Sequence, residues 1–169
     1  FPIGSLYPLI TMSYFGGGVT ESSFVEIAFS SGTLCGAFVL GLVGNRIRRL
    51  GGITASIGVY GVGLAAVGLL PPSGLGIFIV LSALMGLTLP FFYGIRTSIL
   101  QSNVSGEYLG RVLSLTYSVS LFASPLGLLF GGTVSEVLGV NICFLIGGVL
   151  SVSLAAAMLL TPSIRRSPL

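Results

Sequence analysis

Long apolar runs separated by short polar segments dominate the chain. A short first run and five complete ones cover residues 1–15, 24–43, 53–70, 75–100, 112–134 and 140–160. A helix needs about 20 mostly apolar residues to cross the hydrocarbon core of a bilayer. The runs are apolar throughout and do not alternate, which favours helices over the strands of a membrane barrel. The pattern predicts an all-α membrane protein with five complete spans and one partial span.

The basic residues fall on one side of this predicted arrangement. Six lie in alternate connections or in the tail: Arg46, Arg48, Arg49, Arg111, Arg165 and Arg166. Arg96 lies near the same side, whereas Glu21, Glu136 and the turn at residues 71–74 lie opposite. Short cytoplasmic loops carry an excess of Lys and Arg. We therefore expect a multi-pass protein of the plasma (inner) membrane with a cytoplasmic C-terminus.

Composition removes several classes of function. The chain is 53% hydrophobic and 7% charged, with a mean hydropathy of +1.08 and no histidine, lysine, tryptophan or aspartate. Histidine-dependent catalysis, an intramembrane aspartate pair and a P-loop are therefore excluded. Cys35 and Cys143 lack metal-ligand spacing and are expected to be packing residues. We expect no enzyme activity, no cofactor, no metal and no nucleic-acid partner, and the bilayer as the surrounding medium.

The first run is too short for a full span, and the chain begins with Phe1. No basic n-region precedes it, so it does not resemble a signal peptide. We expect the chain to be a fragment of a longer protein.

Consecutive spans cross the membrane in alternating directions, and three is an odd number. Six helices can therefore be divided into two inverted three-helix repeats. The first member of each triplet combines prolines with aromatic residues, as in Pro8 with Tyr7 and Pro90 with Tyr93. Interrupted segments at matching repeat positions indicate a transporter cavity. The alternative is that proline and aromatic residues are simply common in membrane helices. The plainer third and sixth spans are expected to face lipid.

Small residues four apart occur in three spans. The pairs are Gly32 and Gly36, Gly61 and Ala65, and Gly127 and Gly131. Such spacing lets helix backbones approach closely in lipid. We expect these residues to be packing contacts rather than chemical groups.

Two charged residues lie inside spans, Glu26 near the outer interface and Arg96 near the inner one. Such charges are costly and mark functional sites by default. The alternative is solvation at the cavity mouth or snorkelling to the headgroups. Of the two, Glu26 is the better candidate proton carrier. The midplane otherwise offers hydroxyls and aromatic rings, which suit a neutral or amphipathic organic ligand.

Three stretches resemble the C-terminal six-helix half of a major facilitator superfamily transporter. GLVGNRIRRLGG (Gly41–Gly52) is similar to the loop between helices eight and nine, although Asn45 replaces the usual acid. GEYLGRVLSL (Gly106–Leu115) resembles the loop between helices ten and eleven of efflux permeases. SPLGLLFGGTVSEVLG (Ser124–Gly139) resembles helix eleven of the same branch, which includes macrolide and enterobactin exporters.

The resemblance covers residues 1–169 and implies a twelve-helix transporter whose N-terminal six-helix half is missing here. It implies proton-coupled efflux of a small organic molecule by alternating access. It also implies candidate substrate-lining residues: Tyr7, Tyr14, Phe92, Tyr93 and Tyr117. The arginines at 46, 48, 49 and 111 become candidates for cytoplasmic gating. The alternative is that they only set the orientation of the protein in the membrane. A non-transporting membrane module, or a half-size protein that pairs with itself, is the alternative function.

Overall fold

The computed structural model describes residues 6–44 and 49–160, excluding the side chains at positions 49, 123, 124, 126–128 and 130. The described residues form six α-helices: α1 (Tyr7–Ser13), α2 (Val19–Val43), α3 (Arg49–Leu69), α4 (Leu75–Asn103), α5 (Gly106–Leu138) and α6 (Val140–Leu160). The predicted all-α class is confirmed.

Four of the described helices are long and apolar enough to cross a membrane: α2, α3 from Leu50 onward, α4 and α6. The fifth long helix, α5, has 33 residues. At about 1.5 Å per residue it extends for about 50 Å, which exceeds a hydrocarbon core of about 30 Å.

Several helices are longer than the predicted apolar runs. α2 begins at Val19, five residues before the run at 24–43, because the Glu21 Oε2 atom accepts the Gly18 N–H at 2.7 Å and caps the helix. α5 extends beyond the run at 112–134 at both ends. Hydropathy marks the part of a helix that lies in lipid, and backbone hydrogen bonding continues past it.

Tight turns separate the later helices. The predicted turn after α3 is confirmed, because the Gly74 N–H donates to the Pro71 carbonyl at 2.8 Å. Between α5 and α6 a single residue, Gly139, reverses the chain at a φ of 91°. This left-handed conformation favours glycine.

Close backbone contact joins the helices in pairs. α2 runs parallel to α4, with Gly32 against Ala83 and Gly36 against Leu87. A Cβ atom at either glycine would overlap the facing carbonyl oxygen. The predicted packing role of this pair is confirmed.

The third helices of the two triplets pack against each other in antiparallel fashion. Gly61 faces Ser151 and Val152, and Ala65 faces Gly148. The packing prediction for Gly61 and Ala65 is thus confirmed as well. For the third pair, Gly131 lies against the Leu6 side chain, while the Gly127 prediction falls outside the described side chains.

An aromatic cluster fills the centre of the helix bundle. The Tyr7 ring lies 5.5 Å from the Phe29 ring, 5.7 Å from Phe78 and 5.9 Å from Phe144, measured between centroids. Phe15 stacks on Phe78 at 5.2 Å. These contacts connect α1 to α2, α4 and α6.

α5 is the most loosely attached of the long helices. Within the described part of the chain it touches mainly α6, with a few contacts to α4. Its large apolar side chains are exposed, including Leu121 at 74% and Phe122 at 76%. The structure thus shows α5 with much of its surface unpacked.

Candidate functional site

The two candidate residues on or next to α1 lie inside the bundle. Tyr7 is buried in the aromatic cluster, where its hydroxyl donates to the Met85 Sδ atom at 3.9 Å. Tyr14 is half-buried, and its hydroxyl donates to the Leu70 carbonyl at 2.8 Å, at the end of α3. Both tyrosines therefore connect helices, and their role as substrate-lining residues stays a prediction.

The other candidate lining residues lie on α4 and α5. Phe92 and Tyr93 are half-buried on α4, with their rings edge to face at 5.2 Å. Tyr93 lies within electrostatic range of Arg96 on the same helix, of Tyr60 on α3 and of Tyr117 on α5. Tyr117 itself is 65% exposed. Of the candidate residues, Tyr93 thus lies in the neighbourhood of Arg96 and Tyr117, whereas Tyr7 packs in the aromatic cluster.

The charged candidates have different surroundings. Glu26 is exposed on α2, seven residues after the helix begins, or about 10 Å along its axis. Arg111 is exposed near the start of α5, with its guanidinium carbon 6.0 Å from the centre of the Tyr108 ring, a cation–π distance. The predictions for Arg46 and Arg48 fall outside the described residues, and Arg49 begins α3 with its side chain undescribed.

Exposed polar residues are unevenly distributed among the helices. The exposed positions that the structure describes on α3 are Gly51, Ala55, Val59, Val62 and Leu69, and all are apolar. The described exposed positions of α6 include one hydroxyl, that of Ser153.

By contrast, α2 and α5 expose polar groups deep within their length. On α2 these are Ser23, Glu26, Ser30 and Ser31, and in the first half of α5 they are Ser114, Tyr117, Ser118 and Ser120. The hydroxyls of Ser23 and Ser120 donate to carbonyls of their own helices at 2.9 Å. The Glu26 carboxylate, unlike a hydroxyl, cannot donate to a carbonyl of its own helix. The face of α2 that carries Glu26 is therefore costly to place in lipid.

Ser23 was not among the candidate residues predicted from the sequence. Ser23, Glu26 and Ser30 follow an i, i+3, i+7 spacing, which puts them on one face of a helix. That spacing could have shown that Ser23 shares a face with Glu26. It was missed because the predicted span began at residue 24.

A groove of about 350 Å³ lies between α3 and α4, away from the predicted lining residues. Gly52, Ala55 and Val59 line it on one side, and Leu87 and Phe91 on the other. Its two hydroxyls, those of Ser56 and Thr88, donate to carbonyls of their own helices at 2.8 and 2.7 Å. The groove therefore offers an apolar surface without a free hydroxyl donor.

Comparison with known proteins gives consistent matches. The family model described as Major Facilitator Superfamily matches residues 1–168. Macrolide efflux protein A of Streptococcus pyogenes is 44% identical over 165 residues, which cover 98% of this chain and 41% of that protein. The protein of the same name from Enterococcus faecalis is 50% identical over 127 residues, or 75% of this chain and 39% of that protein.

A more distant relative is the multidrug efflux pump Tap of Mycolicibacterium fortuitum. It is 29% identical over 130 residues, which cover 75% of this chain and 30% of the pump. The chain thus spans less than half the length of each of these three relatives.

Proposed function

Because the chain belongs to the Major Facilitator Superfamily, we propose that it is the C-terminal half of an exporter that moves a small organic molecule by alternating access, driven by a proton gradient. The family and its macrolide-exporter branch were predicted from three sequence stretches, and that prediction is confirmed. The proposal makes the protein a transporter rather than an enzyme.

The names of the relatives support export as the direction and organic molecules as the cargo. Two are named for macrolide efflux and one for multidrug efflux. Macrolides are amphipathic, so a binding surface of aromatic rings and hydroxyls suits them. Tyr93 on α4 and Tyr117 on α5 are the proposed contacts, because both are aromatic and lie within electrostatic range of each other.

The observation that carries the proposal is the contrast between helix faces. Polar side chains are exposed along α2 and α5, whereas α3 and α6 expose almost entirely apolar ones in their described parts. Polar groups in membrane proteins face water-filled cavities or the bundle interior rather than lipid. We therefore assign α2 and α5 to a central aqueous cavity and α3 and α6 to the lipid boundary.

The proposed partner is an N-terminal six-helix half that forms the opposite wall of this cavity. α2 exposes Leu34, Phe38 and Leu42 beside its polar residues, and each is at least 69% exposed. A surface that mixes large apolar and polar residues suits a movable interface between two halves. Substrate would bind between the halves.

Glu26 is the proposed proton-binding residue, because it is a carboxylate exposed on the cavity helix α2. The arginine-rich end of the bundle, which includes Arg111 at the start of α5, is the proposed cytoplasmic end. In this proposal the C-terminus lies inside the cell and the protein lies in the plasma membrane.

The coupling proposal is tested with the full-length polypeptide in proteoliposomes that contain erythromycin. Glu26→Gln should slow export driven by a pH gradient about tenfold or more, while erythromycin exchange without a gradient continues. Glu21→Gln is the matched control, since Glu21 caps α2 and a glutamine oxygen can still accept the Gly18 N–H. Gradient-driven export by Glu26→Gln at the unmodified rate would contradict the role of Glu26.

A further inference from the structure

Pro90 interrupts the hydrogen bonding inside α4. A proline in a helix has no N–H to donate to the carbonyl four residues earlier, which for Pro90 is the carbonyl of Gly86. Gly86 is buried, so water does not readily replace the missing donor. In a membrane, hydroxyls from neighbouring helices commonly satisfy such a carbonyl.

Thr33 of α2 is placed to supply the missing donor. Its Oγ1 atom lies 3.3 Å from the Gly86 carbonyl oxygen and 3.0 Å from the Phe29 carbonyl oxygen of its own helix. A hydroxyl has one hydrogen to donate. The Phe29 carbonyl already accepts the Thr33 backbone N–H in the helical ladder, so the Gly86 carbonyl gains more from the hydroxyl.

The glycines of the α2–α4 contact make this reach possible. A threonine hydroxyl extends only a short way from its backbone, so it reaches a facing carbonyl only where the two helices touch. The positions of Cβ atoms at Gly32, Gly36 and Gly86 all fall on the backbone of the facing helix. The hydrogen bond between Thr33 and Gly86 is therefore part of a backbone-to-backbone interface.

We propose that Thr33 is a positioning residue that sets the direction of α4 beyond Pro90 by donating its hydroxyl to the Gly86 carbonyl. The segment after Pro90 carries Phe92, Tyr93 and Arg96. When the hydroxyl donates instead to Phe29, the backbone near Pro90 loses this tie and α4 bends more freely. The effect on substrate rests on the proposed transport function, whereas the effect on the direction of α4 does not.

Distances between spin labels in the full-length protein test the positioning role directly. Cysteine replaces Leu42 on α2 and Gln101 on α4 in a background with Cys35→Ala and Cys143→Ala, so that the label pair reports on the part of α4 beyond Pro90. A second pair, at Ile27 and Val80, reports on the part before Pro90. All four of these label positions are exposed.

Thr33→Val removes the hydroxyl at nearly constant shape, and Thr33→Ser keeps a hydroxyl. Thr33→Val should broaden or shift the distance distribution of the pair beyond Pro90 and leave the pair before it unchanged. Thr33→Ser should retain the original distribution. Unchanged distributions in Thr33→Val, or equal changes in both pairs, would overturn the proposal.

Pro90→Ala completes a double-mutant cycle, because alanine restores a backbone N–H for the Gly86 carbonyl. Adding Thr33→Val to Pro90→Ala should therefore produce no further change in either distance distribution. An effect of Thr33→Val that is equally large with and without Pro90 would overturn the inference. If Thr33→Val alone fails to fold, normal folding of the double variant supports the inference, and failure of the double variant overturns it.

Erythromycin transport by the same variants is the functional measurement. Thr33→Val should raise KM about threefold with a smaller change in kcat, because it displaces contacts rather than removing them. Thr33→Ser should restore KM. If the unmodified protein transports nothing, the proposed function fails, while the label distances still decide the role of Thr33.

Discussion

Individual glycines determine how closely the helices of this protein approach. Gly32 and Gly41 lie on the same helix, but the first faces the Ala83 backbone and the second has no atom within 4 Å of the position of a Cβ atom. One residue type therefore serves two purposes on α2. At position 32 it permits backbone contact, and at position 41 it only lowers the helix propensity.

Gly32→Ala should lower the free energy of unfolding by about 1–3 kcal/mol, because the added methyl group forces α2 and α4 apart. Gly41→Ala is the matched control and should be neutral or stabilising by up to about 1 kcal/mol. Chemical unfolding in detergent micelles, followed by circular dichroism, measures both. Equal stability of the two variants would contradict the contact between α2 and α4.

Tyr14 is a second single residue that holds two elements together, because it connects the segment after α1 to the end of α3. The last carbonyls of a helix lack partners within the helix, so the 2.8 Å bond from Tyr14 to Leu70 satisfies one of them. Tyr14→Phe should lower the free energy of unfolding by about 1 kcal/mol in the same experiment. Tyr117→Phe, at an exposed position, should change it by less than about 0.5 kcal/mol.

At the scale of helices, α2 and α5 expose several polar side chains, whereas the described parts of α3 and α6 expose almost entirely apolar ones. The order of polar positions along each helix has a clear physical meaning once the buried faces are known. α2 buries Val25, Gly32 and Gly36 and turns Ser23, Glu26 and Ser30 outward. The polar residues thus lie away from the packed interface with α4.

Accessibility of single introduced cysteines tests this assignment. Cysteine at Ser30 or Ser118 should react with a charged thiol reagent about tenfold faster than cysteine at Leu150 or Val152, because the reactive thiolate does not form readily in hydrocarbon. The four positions are exposed on α2, α5 and α6. The reagent is added to the full-length protein in membranes. Equal reactivity at all four sites would contradict the aqueous cavity.

The helices themselves were largely predictable from the sequence, because a run of about 20 apolar residues has few other stable structures in a membrane protein. The glycine contacts at Gly32 and Gly61 were also predictable, because small residues four apart let helix backbones approach closely in lipid. The burial of Tyr7 was not, since α4 and α6 are apolar nearly all round and their periodicity does not show which side meets α1. The approach of Thr33 to Gly86 likewise depends on the register of two helices distant in sequence.

At the scale of the whole molecule, the packing of the bundle is uneven. α3 packs along both α4 and α6, whereas α5 touches its described neighbours at few places. The exposed surfaces of α2 and α5 are the ones that we assign to the cavity and to the N-terminal half. The firm contacts among α2, α3, α4 and α6 would let this half move as a unit against that partner.

Gradient-driven movement of a macrolide through the purified, full-length protein is the most direct test of the central claim. Everted proteoliposomes are loaded with buffer at low pH, diluted into buffer at higher pH with radiolabelled erythromycin, and sampled over time. We expect erythromycin to accumulate inside the vesicles, and a proton ionophore to abolish the accumulation. Accumulation that is no greater than in protein-free vesicles, or that is unaffected by the ionophore, would contradict proton-coupled export.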